Sequence, residues 1–264
     1  MPKRLRPVDH QDRLSLVEHL DELRSRLIVS IFAFGVTLAL CFWQNHLILE
    51  IVNAPLQGRE EELFGPGAKP ITFGVAEQFT TTFTVSAYAA ILISLPVLLY
   101  QAYAFVLPAF SPNERKVALP LLLMVPFLFI GGVLFGYFVV MPPALEFLLG
   151  FNSDEFTTSV RARDYYGFVS LSLISLGILF QIPVGILAIT RLGVVTPQQL
   201  RKNRRYAFLG CTVVAALLPT IDPVTLLLEI VPLYLLYEAS IVLASLFGQP
   251  KNDEVAEPDA PEDG

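Results

Sequence analysis

Residues 78–113 read QFTTTFTVSAYAAILISLPVLLYQAYAFVLPAFSPN, a run without a single Asp, Glu, Lys or Arg. Crossing a hydrocarbon core takes about 20 mostly apolar residues, so this stretch crosses a bilayer with length to spare. Three more runs are equally uncharged: Leu27 to Leu49, Val117 to Leu145 and Tyr165 to Thr190. The chain of 264 residues is 54% hydrophobic and 16% charged, with a mean hydropathy of +0.59, a balance too apolar for a water-soluble domain of this size. Its solvent is therefore a bilayer, in which backbone groups must be satisfied within helices. Beyond Arg205 the pattern shortens: Tyr206 to Ile221 is uncharged, and Val224 to Phe247 is interrupted by Glu229 and Glu238. These read as two shorter spans.

The expected organisation is an arm at 1–13 without fixed structure, one six-span domain at 14–247, and a disordered acidic tail at 248–264. The spans fall at about 26–44, 81–106, 117–140, 165–190, 206–219 and 223–245. Basic residues sort by segment, and fourteen of the 18 Lys and Arg lie in the N-terminal stretch up to Arg26, the tail and the loops near 107–116 and 191–205. Only Arg59, Lys69, Arg161 and Arg163 fall on the other side, so the positive-inside rule puts both termini in the cytoplasm. The first apolar run begins too late, and lacks the small-residue cleavage site, to be a removable signal peptide. Outside, Gly58 to Pro70 reads as irregular chain, and Met141-Pro142-Pro143 opens a second loop in which residues 144–151 make a short apolar helix. Asp222 is placed to cap the last span with Pro223 at its first position. The fifth span is then only about 21 Å long at 1.5 Å per residue. Cys41 and Cys211 read as small buried hydrophobes.

No HExxH, GxSxG, GxGxxG or GKS/T pattern occurs, and His10, His19 and His46 are scattered, so metal or nucleophilic catalysis has no residues to stand on. No enzyme activity and no cofactor are expected. Polar chemistry gathers instead in three inward-facing segments. In the first, Leu16, Leu20, Leu23 and Leu27 form one helical stripe, with Ser15 and Glu18 spaced as a capping box. In the second, Ser111, Pro112 and Glu114 fit the N-cap, first and third positions of the third span. In the third, Thr196 to Arg201 is a weaker capping box ahead of the fifth span.

HLDELRSRL at 19–27, FVLPAFSPNERK at 105–116 and the six-span plan with two short last helices together resemble the TatC family over residues 14–247. Ala54-Pro55-Leu56, Pro96 to Gln101, Phe180 to Val184 and Pro232 to Glu238 add to the match by their order and spacing. The resemblance implies an all-α polytopic membrane fold whose six transmembrane helices form a concave, cup- or glove-like wall. It also implies a receptor for the twin-arginine signal peptides of folded cargo, which recruits single-span TatA- or TatB-type partners into an oligomeric complex driven by the proton gradient. No nucleic acid enters this picture.

Guanidinium presents a rigid fork of donors that carboxylates accept in pairs, so adjacent arginines suit two acids held a few ångströms apart. Glu22 and Glu114 match the family's acidic positions, Phe105 and Pro108 match positions lining the same region, and Arg24 and Arg115 set the field around the acids. From spacing alone, Glu114 is equally a capping carboxylate and Glu22 an i, i+4 partner of Arg26. Gln181 matches a Glu or Gln position on the concave side, with helix glue as the alternative. Pro55 and Asp222 share with Gln181 a partner-contact or structural role. Glu229 departs from the family's apolar pattern and carries no assigned role, Glu238 needs an Arg or backbone partner, and Glu77 is a weaker match because the Lys that usually follows it is Thr84. Prolines 96, 120, 126, 183 and 232 interrupt helices, and Gly131, Gly132 and Gly136 allow close approach. A small-solute transporter is the competing reading, but the inverted repeats it requires are not visible. An intramembrane enzyme would need a Ser/His or Asp pair at membrane depth, and none is visible either.

Overall fold

The computed structural model describes residues 16–56, 70–106, 112–152, 155, 160–191, 193–218 and 222–247; within these, the side chains of 16–18 and 112–123 are not described. Among the described residues the regular structure is helical, apart from one isolated bridge. Its helices are α1 (Leu16–Trp43), α2 (Asn45–Asn53), α3 (Glu77–Val106), α4 (Pro112–Phe135), α5 (Met141–Gly150), α6 (Ala162–Leu179), α7 (Ile182–Arg191), α8 (Pro197–Lys202), α9 (Arg204–Ala216) and α10 (Pro223–Phe247). A 3-10 turn at Ala54–Leu56 follows α2, and a π turn at Gly136–Val140 joins α4 to α5.

Five stretches are long and apolar enough to cross a membrane: His19–Trp43, Glu77–Phe105, Met124–Gly150, Ala162–Arg191 and Pro223–Leu246. Helix α9 has 13 residues, about 20 Å, and stops short of a core about 30 Å thick. The shortness expected of the last pair is carried by α9, because α10 runs for 25 residues. Helix α10 starts as its sequence dictates: Thr225 N donates to Asp222 Oδ1 at 2.8 Å, and Pro223 takes the first turn.

The region around Met141 departs from expectation. The helix does not end at Val140 but continues through Gly150, so the second outer loop begins after α5. Pro142 and Pro143 offer no N–H to the preceding turn. The chain absorbs this by widening into the π turn just before them, with Met141 N donating to Gly136 O. Val140, Met141 and Ala144 are completely buried, which fixes α5 against its neighbours. The fourth expected span is likewise broken, at Phe180–Gln181, where Pro183 withdraws the donor that Leu179 O would use. The Thr196 capping box forms in full, but it starts the separate short helix α8 rather than leading directly into α9.

Helix α3 is central and packs on α1, α4 and α6, while α10 packs on α7 and α9. One core lies where α2, α3, α5 and α6 meet, around Val85, Met141, Leu145, Tyr165 and Val169. A second lies at the far end of the α6–α7 run, around Leu187, Leu200, Tyr237 and Ile241, and a third between α9 and α10, around Cys211, Ala215 and Leu233. Helix α1 contributes little to any of them: only 6% of its most apolar window is buried, and Leu27, Ile31, Phe32 and Leu40 point outward. Such a face is stable only against lipid or a partner helix. Cys41 and Cys211 are free and buried, as small hydrophobes are.

Candidate functional site

Glu22 sits in the second turn of α1, and its neighbours come from α1 and from the last turns of α3. Oε1 of Glu22 accepts from Arg26 Nε at 3.0 Å and also from Nη2, the i, i+4 pair that helix geometry favours. The same guanidinium reaches across to α3, where Nη1 donates to Gln101 Oε1 at 3.2 Å. One turn earlier on α1, the His19 ring stacks on Phe105 with centroids 4.2 Å apart and an interplanar angle of 16°. His19 Nδ1 stands 4.0 Å from Glu22 Oε2, too far for a hydrogen bond but close enough to feel its charge. The result is a carboxylate a quarter exposed, with a guanidinium already on it and an imidazole beside it that is itself stacked on a phenyl ring.

The structure brings Glu22 and Phe105 together through His19 and leaves Arg24 solvent-exposed on α1. Glu114 and Arg115 belong to the first turn of α4, but their side chains, like Pro108, lie outside the described residues. Gln181 is not on a helix at all: it occupies the α6–α7 break, buried, with Nε2 donating to Val125 O of α4 at 3.1 Å. Pro55 lies in the 3-10 turn against which α5 packs. Glu238 pairs with Arg204 at 2.7 Å and accepts from Tyr234 Oη at 3.0 Å, so α9 is bound to α10 through the partner its position required. Glu229 is fully buried.

At the other end of α3, Glu77 is the hub of a second polar cluster. Oε2 accepts from Phe73 N at 2.7 Å and Gly74 N at 3.0 Å, capping α3, while Oε1 takes the Arg161 guanidinium. Ile71 and Arg161 form the isolated parallel bridge, with Ala162 N donating to Ile71 O at 3.0 Å. Sequence reasoning missed this clasp. Glu77 stood out in the sequence only as a weaker family match, and no local signal points from it to Arg161, 84 residues away.

Residues 18–232 match the family model described as "Sec-independent protein translocase protein (TatC)". The chain belongs to the TatC family. The TatC of Desulforapulum autotrophicum is 35% identical over 94% of this chain and 90% of its own length. The TatC of Escherichia coli K12 is 34% identical over 92% and 93%. A crystal structure of the twin arginine translocase receptor TatC superposes with a TM-score of 0.72 at 36% identity, covering 87% of this chain and 99% of that one. As a TatC, this multi-pass membrane protein is a protein-translocase component rather than an enzyme. The TatC framework gives the cluster around Glu22 its context: a polar site at the entrance of the first two long helices of a translocase subunit.

Proposed function

We propose that this TatC binds the twin-arginine signal peptide of folded cargo at the cytoplasmic face, with Glu22 and Glu114 as the two guanidinium acceptors. Phe105 forms the apolar side of the site, and Arg24 and Arg115 tune the charge around it. The observation that carries this reading is that the Glu22 carboxylate already accepts a guanidinium, that of Arg26. Its quarter exposure leaves it able to take another. The basic residues on the arm and on the loops near 107–116 and 191–205 support placing both termini, and this site, on the cytoplasmic side of a cell membrane.

Single-span TatA- or TatB-type proteins are the partners, recruited into an oligomeric complex, with the proton gradient supplying the driving force. The outward apolar faces of α1 suit such helices, since in lipid helices associate by packing rather than by escape from water. Gln181 and Asp222 act structurally, the first tying the α6–α7 break to α4 and the second capping α10. A solute transporter is not favoured: Glu238, one of the polar groups that would serve it, is engaged by Arg204 and Tyr234.

Site-specific crosslinking of a twin-arginine signal peptide to the membrane-embedded chain tests the assignment. Glu22→Ala and Glu114→Ala are each expected to lower capture roughly five- to tenfold, as loss of a charge-assisted pair does. Replacing the peptide arginines with lysine should lower it too. Normal capture by both variants, with normal membrane insertion, would overturn the site.

A further inference from the structure

We infer that Arg26 is a resident guanidinium occupying the place of a ligand arginine on Glu22, an internal competitor that weakens the binding of any incoming cation. The inference rests on Glu22 being the signal-peptide acceptor. Both Arg26 bonds to Glu22 fall on one oxygen, Oε1, because the i, i+4 spacing fixes how the two side chains meet. Oε2 is turned toward His19 at 4.0 Å and stays outside the Arg26 fork. The resident pair is thus lopsided, and it falls short of the parallel arrangement in which two N–H groups engage both carboxylate oxygens.

An incoming arginine is not tethered to the same helix. It can approach from the exposed side and use both oxygens, and so gains a contact the resident cannot make. Both resident side chains are only a quarter exposed, but that is enough for water and a peptide to reach the carboxylate without unfolding α1. Once displaced, Arg26 keeps an anchor, since Nη1 already bonds Gln101 Oε1 on α3. A lysine ammonium is a compact point charge without the planar fork. It would exchange one cation for another at Glu22 and gain no second oxygen, while also losing hydration. The resident therefore weakens every cation by the same factor, and any preference for arginine comes from the second oxygen that an untethered fork reaches.

Removing a partly exposed pair of this kind changes affinity by about two- to fivefold. The test uses the full chain in lipid nanodiscs and fluorescent signal peptides carrying Arg-Arg or Lys-Lys, titrated against wild type, Arg26→Gln and Glu22→Gln. Arg26→Gln is expected to tighten the Arg-Arg and Lys-Lys peptides alike, by about two- to fivefold. Weaker or unchanged Arg-Arg binding would overturn the inference and make Arg26 a support for Glu22, and a gain confined to one of the two peptides would overturn simple competition. Arg26→Lys, which keeps the charge and loses the fork, should fall between wild type and Arg26→Gln. Glu22→Gln separates the two levels: if it leaves Arg-Arg binding intact, the acceptor assignment itself fails, whatever Arg26 does.

Discussion

Glu22 takes its guanidinium from its own helix, whereas Glu77, at the opposite end of α3, gathers donors from distant parts of the chain. With two backbone N–H groups on one oxygen and the Arg161 guanidinium on the other, its charge holds residues 71–74 against the start of α6. Glu77→Gln preserves shape and removes that charge. Amide exchange at Phe73 and Gly74 should quicken while α3 and α6 keep their protection, and unchanged exchange at those two amides would refute the clasp. Asp222 is a simpler case, in which one oxygen caps one helix. Asp222→Ala should lower the stability of the folded chain by about 1 kcal/mol, seen as a lower Tm in detergent. The two residues also divide on legibility. Asp222 lies three positions before its partner, within reach of any reading of helix starts. Arg161 had to be delivered to Glu77 by the fold.

Among the elements, the α4–α6 contact is set by a reciprocal fit. Phe129 of α4 lies over Gly177 of α6, and Phe180 at the end of α6 lies over Gly132 of α4, where an added methyl would stand 2.7 Å from the Phe180 ring and 2.8 Å from Leu176 O. Gly136, by contrast, faces the flexible end of Leu176, and Gly131 faces open space. The expected close approach is therefore real at Gly132 and Gly136 but not at Gly131, and its counterpart at Gly177 went unread because a glycine inside a helix says nothing of what crosses it. Gly177→Ala and Gly132→Ala should each cost about 1–3 kcal/mol by overpacking. Gly131→Ala should fall within about 0.5 kcal/mol of wild type. Thermal unfolding of the three variants in one detergent checks the contrast, and equal gains in all three would show that helix propensity, which favours alanine, rather than packing governs these positions. The continuation of α4 into α5 carries the same lesson. Two consecutive prolines read as a helix end, yet a widened turn accommodated their missing donors, and burial of Val140, Met141 and Ala144 made that arrangement the stable one.

For the whole molecule, the proposed orientation makes the Glu22 and Glu77 ends face opposite compartments. In a chain with Cys41 and Cys211 replaced by alanine, Ser25→Cys and Val75→Cys, both at exposed positions, should react with a membrane-impermeant thiol reagent from opposite sides of sealed vesicles. Labelling of both from one side would invert or cancel the topology. The sequence by itself determined the all-α membrane class, the places of the long spans, the caps at Thr196 and Asp222, and the family, because length, hydropathy, charge bias and short motifs are written along the chain. Only the tertiary structure decided that Gln101 meets Arg26, that His19 lies on Phe105, that Arg161 closes on Glu77 and that α5 prolongs α4. The physical reason is the solvent: lipid tails are as apolar as leucine, so an apolar pattern marks a span without saying which of its faces meets protein and which meets lipid. That choice is made by shape and by a few polar pairings between residues far apart in sequence, and these come into being when the helices assemble.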